Sequence, residues 1–167
     1  CQHAGRILRA IGAPAVTPLL KNLGHPAALE RQRALDTLAR IGHRRAVPAI
    51  VALLRRSPDL EERRRCVGVL AKLGDPKALP AVVVALSRDQ PTTTPLDPQV
   101  WQPYVDALVG LKADLVLLMP MLSAPDLQRR LVASQVAGRR ELRRLIPALV
   151  VRLSDPWPEI AAAAAHA

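Results

Sequence analysis

The feature that most constrains the fold of this chain is a pattern that restarts after about 32 residues. Starting four residues after Gly42 the sequence reads A-V-P-A-I-V-A-L-L, and starting four residues after Gly74 it reads A-L-P-A-V-V-V-A-L. A unit of this length is a single supersecondary element that cannot bury its apolar face alone. The repetition therefore predicts a stack of similar units that share one continuous core.

The same unit recurs along most of the chain. Its last leucine-like position in the first helix falls at residues 54, 86, 122 and 153, which are separated by 32, 36 and 31 residues. We expect a single array, and because both ends fall inside helical patterns we expect it to be a segment of a longer protein. The predicted units are residues 1–11 (partial), 12–41, 42–73, 74–111, 112–140 and 141–167 (truncated).

Each unit contains the signals of two helices. Gly42 and Gly74 follow apolar helical patterns, and glycine is the residue that most readily takes the left-handed conformation just past a helix end. A proline-containing turn such as Ser57-Pro58 separates the two helices, and Cys66, Val67, Leu70 and Leu73 have the spacing of a buried helical stripe. The pattern predicts an all-α fold, broken by an inserted loop at Gln90–Pro98, which is rich in Pro and Thr.

Composition limits the classes of function. The net charge is +10, and residues 1–88 hold 16 Lys/Arg and 6 Asp/Glu, so the excess lies in the first half. Two cysteines supply neither a disulfide framework nor a metal set. No apolar run approaches the roughly 18 residues that a membrane span needs. We expect no membrane span and place the chain in the cytoplasm.

The recurring pattern consists of a G-D-P-x-A-[LV]-P-A opening, a proline turn, and an Arg-bearing helix that ends A-x-x-L-A-x-[LI]-G. This pattern resembles HEAT-like repeats, in particular the short bacterial variety that is also found in the phycobilisome lyase group. The resemblance covers almost the whole chain apart from about residues 89–99. It implies a right-handed α/α superhelix, an α-solenoid of about five helix pairs whose second helices line a concave face.

The resemblance also implies an arginine near the start of each second helix, with an acidic partner in the preceding turn. Arg31, Arg63 and Arg129 are assigned to this position, and Trp101 replaces the arginine in the third unit. The match is uneven, because His25-Pro26 stands where the first unit would have its acid.

Basic residues at equivalent positions of successive units form the candidate binding surface. Stacking would place them in columns about 10 Å apart, suited to an acidic protein face or a phosphate backbone. The alternative is a solvated surface neutralised by the i,i+4 pairs Asp36–Arg40, Asp59–Arg63 and Glu61–Arg65. Trp101 and Tyr104, directly after the inserted loop, are candidate partner contacts. The predicted interaction surface is Arg31, Arg33, Arg40, Arg63, Arg65, Lys72, Trp101 and Tyr104.

Catalysis has little support in the sequence. No histidine lies within a few residues of another, and no phosphate loop, Ser-His-acid set or cysteine pair occurs, so we assign no catalytic, metal or cofactor residue. We expect a non-catalytic scaffold for protein–protein interaction with an acidic partner. Two alternatives stay open: a nucleic-acid-binding solenoid, and a lyase-type subunit that handles a bilin or similar cofactor, which the resemblance implies.

Overall fold

The computed structural model describes residues 13–89 and 98–167 of the chain. These residues form ten α-helices, and the described ranges contain no β-strand. The helices are α1 Ala13–Asn22, α2 Ala28–Ile41, α3 Val47–Arg56, α4 Leu60–Leu73, α5 Leu79–Arg88, α6 Pro98–Gly110, α7 Leu115–Leu122, α8 Leu127–Arg139, α9 Ile146–Arg152 and α10 Pro158–Ala165. The predicted partial unit at residues 1–11 and all but the last residue of the predicted loop lie outside the described residues.

The helices are arranged as pairs that stack in two layers. Each odd-numbered helix packs against the even-numbered helix that follows it, and the even-numbered helices contact one another in series from α2 to α10. In the other layer, α3 contacts α5 and α7 contacts α9. The prediction of an all-α solenoid of helix pairs is confirmed. We call the surface formed by the even-numbered helices the second-helix face.

The ends of the second helices follow from backbone sterics. Gly42 and Gly74 have φ of 72° and 63°, and the amide of each donates to the carbonyl oxygen four residues earlier. Only glycine takes this left-handed conformation without a steric penalty. The corresponding positions after α6 and α8 are Lys112 and Glu141, which also have positive φ, at 59° and 50°. The later repeats therefore keep the same turn at a steric cost.

The core runs continuously between the two layers. Leucines and valines that recur at helical spacing are almost fully removed from solvent, as the stripe Cys66, Val67, Leu70 and Leu73 illustrates. Short aliphatic side chains suit this core because the helix layers pack closely. The core is bulkier in the third pair, where Trp101 and Tyr104 are among the largest fully buried side chains.

Candidate functional site

The guanidinium of Arg31, a predicted surface residue, forms its hydrogen bonds within the fold. Its Nε donates to Glu62 Oε1 at 2.6 Å, and its Nη1 donates to the carbonyl oxygens of His25 at 2.9 Å and Pro26 at 2.7 Å. One guanidinium therefore holds the turn that precedes α2 and joins α2 to α4 of the next pair. All of these contacts are internal, so Arg31 is a structural residue, and its place on the interaction surface stays a prediction.

Arg63 makes the same contacts one repeat later and is more buried. Its Nε lies 2.5 Å from Asp89 Oδ1, and its Nη1 donates to the carbonyl oxygens of Ser57 at 3.0 Å and Pro58 at 2.7 Å. The side chain of Arg63 is only 8% exposed and that of Asp89 is fully buried. Arg63 too is a structural residue, contrary to the prediction.

A third arginine with the same kind of contacts is Arg130, which is one residue after the predicted Arg129. We call Arg31, Arg63 and Arg130 the arginine ladder. Arg130 Nη1 donates to the carbonyl oxygens of Ala124 and Pro125, and its Nε lies 2.9 Å from Asp155 Oδ2. The turn prolines 26, 58 and 125 each precede their ladder arginine by five residues. This spacing is the sequence signal that identifies Arg130, rather than Arg129, as the equivalent of Arg31 and Arg63. The acids that bind these three arginines lie in the following repeat. The predicted Arg129 does pair with an acid of the preceding turn, because its Nε lies 3.3 Å from Asp126 Oδ2.

Trp101 and Tyr104 belong to the core, so their assignment to the interaction surface was also wrong. They are 1% and 0% exposed, and their ring centroids lie 6.4 Å apart. The Tyr104 hydroxyl donates to Asp89 Oδ2, so Asp89 accepts from both Tyr104 and Arg63. Burial, together with the hydrogen bond to Asp89, raises the pKa of Tyr104 well above its ordinary value. These contacts anchor the aromatic pair where a ladder arginine stands in other repeats.

Three of the predicted basic residues meet in one groove. Arg40, Arg65 and Lys72 line an open groove of about 440 Å³ between α2 and α4, and all three are exposed. The rest of its lining consists of Asp36, Ala39, Gly68 and Val69. We call this the α2–α4 groove. Arg33, the remaining member of the predicted columns, is exposed nearby on α2 but does not line the groove.

A second groove continues the second-helix face beyond α4. It has a volume of about 640 Å³ and shares Arg65, Gly68 and Lys72 with the α2–α4 groove. Its other lining residues are Glu61, Arg64, Ala71, Pro103 and Asp106. Asp106 accepts from Arg139 at 2.5 Å and from Gln102 at 2.7 Å. The acid that α6 contributes to this face is therefore already paired, whereas Arg65 and Lys72 on α4 are exposed.

Local neutralisation of the basic columns is incomplete. Asp59 accepts from the amide of Glu61 while its expected partner Arg63 binds Asp89, and Glu61 pairs with Arg64 rather than with Arg65. Arg33, which is 66% exposed, pairs with Glu30 at 2.8 Å. Within the part of the chain that the structure describes, neither Arg65 nor Lys72 forms an ion pair. Two of the three expected i,i+4 pairs are thus replaced by other contacts.

Groups able to perform catalysis are sparse in the described residues. Cys66 is buried in the core, and burial raises the pKa of its thiol to about 12, so it remains a protonated, unreactive thiol at neutral pH. No group of three or more His, Cys, Asp or Glu side chains able to hold a metal ion occurs in residues 13–89 and 98–167. Among the helices of those ranges, none is long and apolar enough to cross a membrane.

Comparisons with known proteins agree with this architecture. Residues 14–94 match the model of the HEAT repeat family. The chain is also similar to a chain in the structure of the complex of CpcE and CpcF of phycocyanin lyase from Nostoc sp. PCC7120, with 24% sequence identity and a TM-score of 0.58. That similarity covers 93% of this chain and 64% of the lyase chain. No curated protein matches. The predicted resemblance to HEAT-like repeats is confirmed.

Proposed function

We propose that this chain, which carries HEAT repeats over residues 14–94, is a non-catalytic scaffold that binds an acidic surface of another protein. The observation that supports the proposal is the set of exposed cations in the α2–α4 groove, of which Arg65 and Lys72 have no ion pair among the described residues. A protein carboxylate placed there gains a charge-assisted hydrogen bond without displacing an internal partner.

An acidic protein suits the groove better than a nucleic acid does. Asp36, Glu61 and Asp106 line the two grooves between the cations, and they would repel a continuous phosphate backbone. Trp101 and Tyr104 are buried, so neither ring is available to stack on a base. A partner with a few discrete carboxylates can instead meet the cations and avoid the acids.

Charge reversal in the groove tests the proposal. We expect Arg65→Glu/Lys72→Glu to weaken binding of an acidic protein or peptide at least tenfold, because attraction becomes repulsion at two positions. The matched control is Arg44→Glu/Arg45→Glu, which changes net charge equally at exposed residues of the turn before α3. Binding is measured by fluorescence anisotropy over a salt titration, with acidic peptides, duplex DNA and single-stranded RNA as probes.

The outcomes separate protein binding from nucleic-acid binding. A loss confined to the groove variant and to acidic peptides supports the proposal. Tight nucleic-acid binding that falls steeply with salt and is lost in the groove variant would replace it with a nucleic-acid-binding solenoid. Equal losses in both variants would show a response to net charge alone and would refute a defined site.

A lyase-type subunit is the second candidate function. Its support is the similarity to a chain in the complex of CpcE and CpcF of phycocyanin lyase. A subunit of this type would hold a bilin or similar cofactor while acting together with another chain. The test is visible absorbance of a bilin during titration with the chain. A saturable change in the bilin spectrum supports this candidate, and an unchanged spectrum counts against it.

A further inference from the structure

We infer that the acidic partner docks as an α-helix across Gly68, with Asp or Glu side chains seven residues apart pairing with Arg65 and Lys72. This inference rests on the proposed function and specifies the shape and charge pattern of the partner. It is carried by the placement of Arg65, Gly68 and Lys72 on α4 and by their position in both grooves of the second-helix face.

The two cations have the spacing of a helix. Seven residues of α4 separate Arg65 from Lys72, which is about 10.5 Å along the axis and nearly two full turns, so both side chains lie on one face. A partner helix running alongside α4 repeats this spacing through its residues i and i+7. An extended strand advances about 3.3 Å per residue and alternates faces, so no pair of its residues on one face has this separation. The spacing therefore favours a helical partner.

Gly68 lies at the bottom of the groove, and we call the small residues there the floor on which a helix can dock. It lies three residues after Arg65 and four before Lys72, which places it between them on the same face. Glycine is the least favourable residue in a helix interior apart from proline. A Cβ at Gly68 would meet nothing within 4 Å, whereas a Cβ at Gly110 would lie 3.3 Å from the carbonyl oxygen of Ala71. Internal packing thus accounts for glycine at position 110 and leaves position 68 unexplained.

A close approach from outside provides the missing reason. Bare backbone at Gly68 lets the axis of a second helix come closer than a side chain would allow, as small residues do at tightly packed helix contacts. The partner carboxylates then reach Arg65 and Lys72 on either side of the contact. The floor is continued by Ala39 toward α2 and by Ala71 toward α6.

The neighbouring charges limit where such a helix can lie. Asp106 on α6 is held by Arg139 and Gln102, and Glu61 pairs with Arg64. Asp36 and Arg40 line the α2 side of the same groove. Arg65 and Lys72 on α4 form no ion pair among the described residues, so an acidic helix lies along them over the α2–α4 groove, with its carboxylates directed away from Asp36.

Helical peptides of one composition and two charge patterns test the inference with the 167-residue chain. One peptide carries Glu pairs at i and i+7, and the other carries the same residues with each pair at i and i+5, which turns the two carboxylates to different faces. We expect the i,i+7 peptide to bind at least tenfold more tightly. Isothermal titration calorimetry measures both affinities, and circular dichroism establishes that both peptides are helical.

A larger side chain at position 68 provides a second test, which is steric. We expect Gly68→Gln to weaken binding of the i,i+7 peptide about tenfold, because the longer side chain keeps the peptide helix away from α4. The fold should be retained, because position 68 has open space around it. Ala52→Gln, at an exposed position of α3 in the other layer, is the matched control and should leave binding unchanged. Thermal unfolding of each variant verifies that the fold is intact.

The results distinguish this inference from the proposed function. Preference for the i,i+7 peptide together with its loss in Gly68→Gln supports helix docking. Equal binding of both peptides, or binding unaffected by Gly68→Gln, overturns helix docking, and the proposed function then stands if Arg65→Glu/Lys72→Glu still abolishes binding. Binding of duplex DNA alone overturns both.

Discussion

Arg63→Ala removes a guanidinium that the structure uses internally. The native side chain donates to Asp89 and to the carbonyl oxygens of Ser57 and Pro58, and it is almost fully buried. Removing one member of a buried ion pair leaves an uncompensated charge and costs about 3–5 kcal/mol. Because the Tyr104 hydroxyl still donates to Asp89 in the variant, we expect a loss near the lower end, about 3 kcal/mol.

Urea unfolding followed by circular dichroism measures this loss, as a fall in the midpoint at an unchanged slope. The same loss should lower the melting temperature by about 6–12 °C, since each kcal/mol is worth about 2–4 °C in a chain of this size. Arg33→Ala is the control, because its pair with Glu30 is exposed and contributes less than about 1 kcal/mol.

Asp89 accepts from both Arg63 and Tyr104, so the two donors can be compared in a double-mutant cycle. Tyr104→Phe removes the other donor to Asp89, and the free energies of the single and double variants should differ from additivity by about 0.5–3 kcal/mol. If Arg63→Ala cost no more than Arg33→Ala, the ladder would not stabilise the stack. The reasoning that removes Arg63 from the interaction surface would then be refuted.

Two further predictions concern Tyr104 and the glycines. Tyr104 is the single tyrosine of the chain, and its pKa is raised in the folded protein. We therefore expect no tyrosinate absorbance from the folded protein at about pH 10, where the tyrosine of the unfolded chain ionises. Because only the unfolded chain loses this proton, the free energy of unfolding should fall as the pH rises above about 10. Tyrosinate absorbance in native and urea-unfolded samples checks this, and equal titration midpoints would contradict it. Gly42→Ala should cost about 1–2 kcal/mol because φ is 72° there, whereas Gly68→Ala should stabilise the chain by about 0.5–1 kcal/mol. Urea midpoints that moved in the same direction for both would contradict the assignment of these glycines.

Much of the fold was predictable because its determinants are local. The period, the glycine at the end of each helix and the proline at each turn depend on backbone conformation and on helical spacing within a unit. Gly42 and Gly74, for example, take the left-handed conformation that the sequence predicted for them. The buried stripe on α4 was equally visible, since apolar residues at three- and four-residue spacing must face the core.

The candidate site was only partly predictable. Equivalent positions in the repeat identified Arg40, Arg65 and Lys72, because stacking brings equivalent residues of neighbouring helices together. The same logic also selected Arg31 and Arg63, which are equivalent to each other but whose guanidinium groups bind acids within the fold. Repetition indicates that two residues share an environment. It does not indicate whether that environment is solvent or a buried contact.

The sequence alone determined that the chain is an all-α array of helix pairs, since the spacing of its apolar residues, glycines and prolines acts over one or two helical turns. The tertiary structure decided which arginines join the repeats and which face a groove. That distinction depends on acids such as Glu62 and Asp89, which lie 31 and 26 residues from the arginines that they bind. Only the stacking of one repeat on the next brings such groups together, and it leaves Arg65 and Lys72 beside an open groove floored by Gly68.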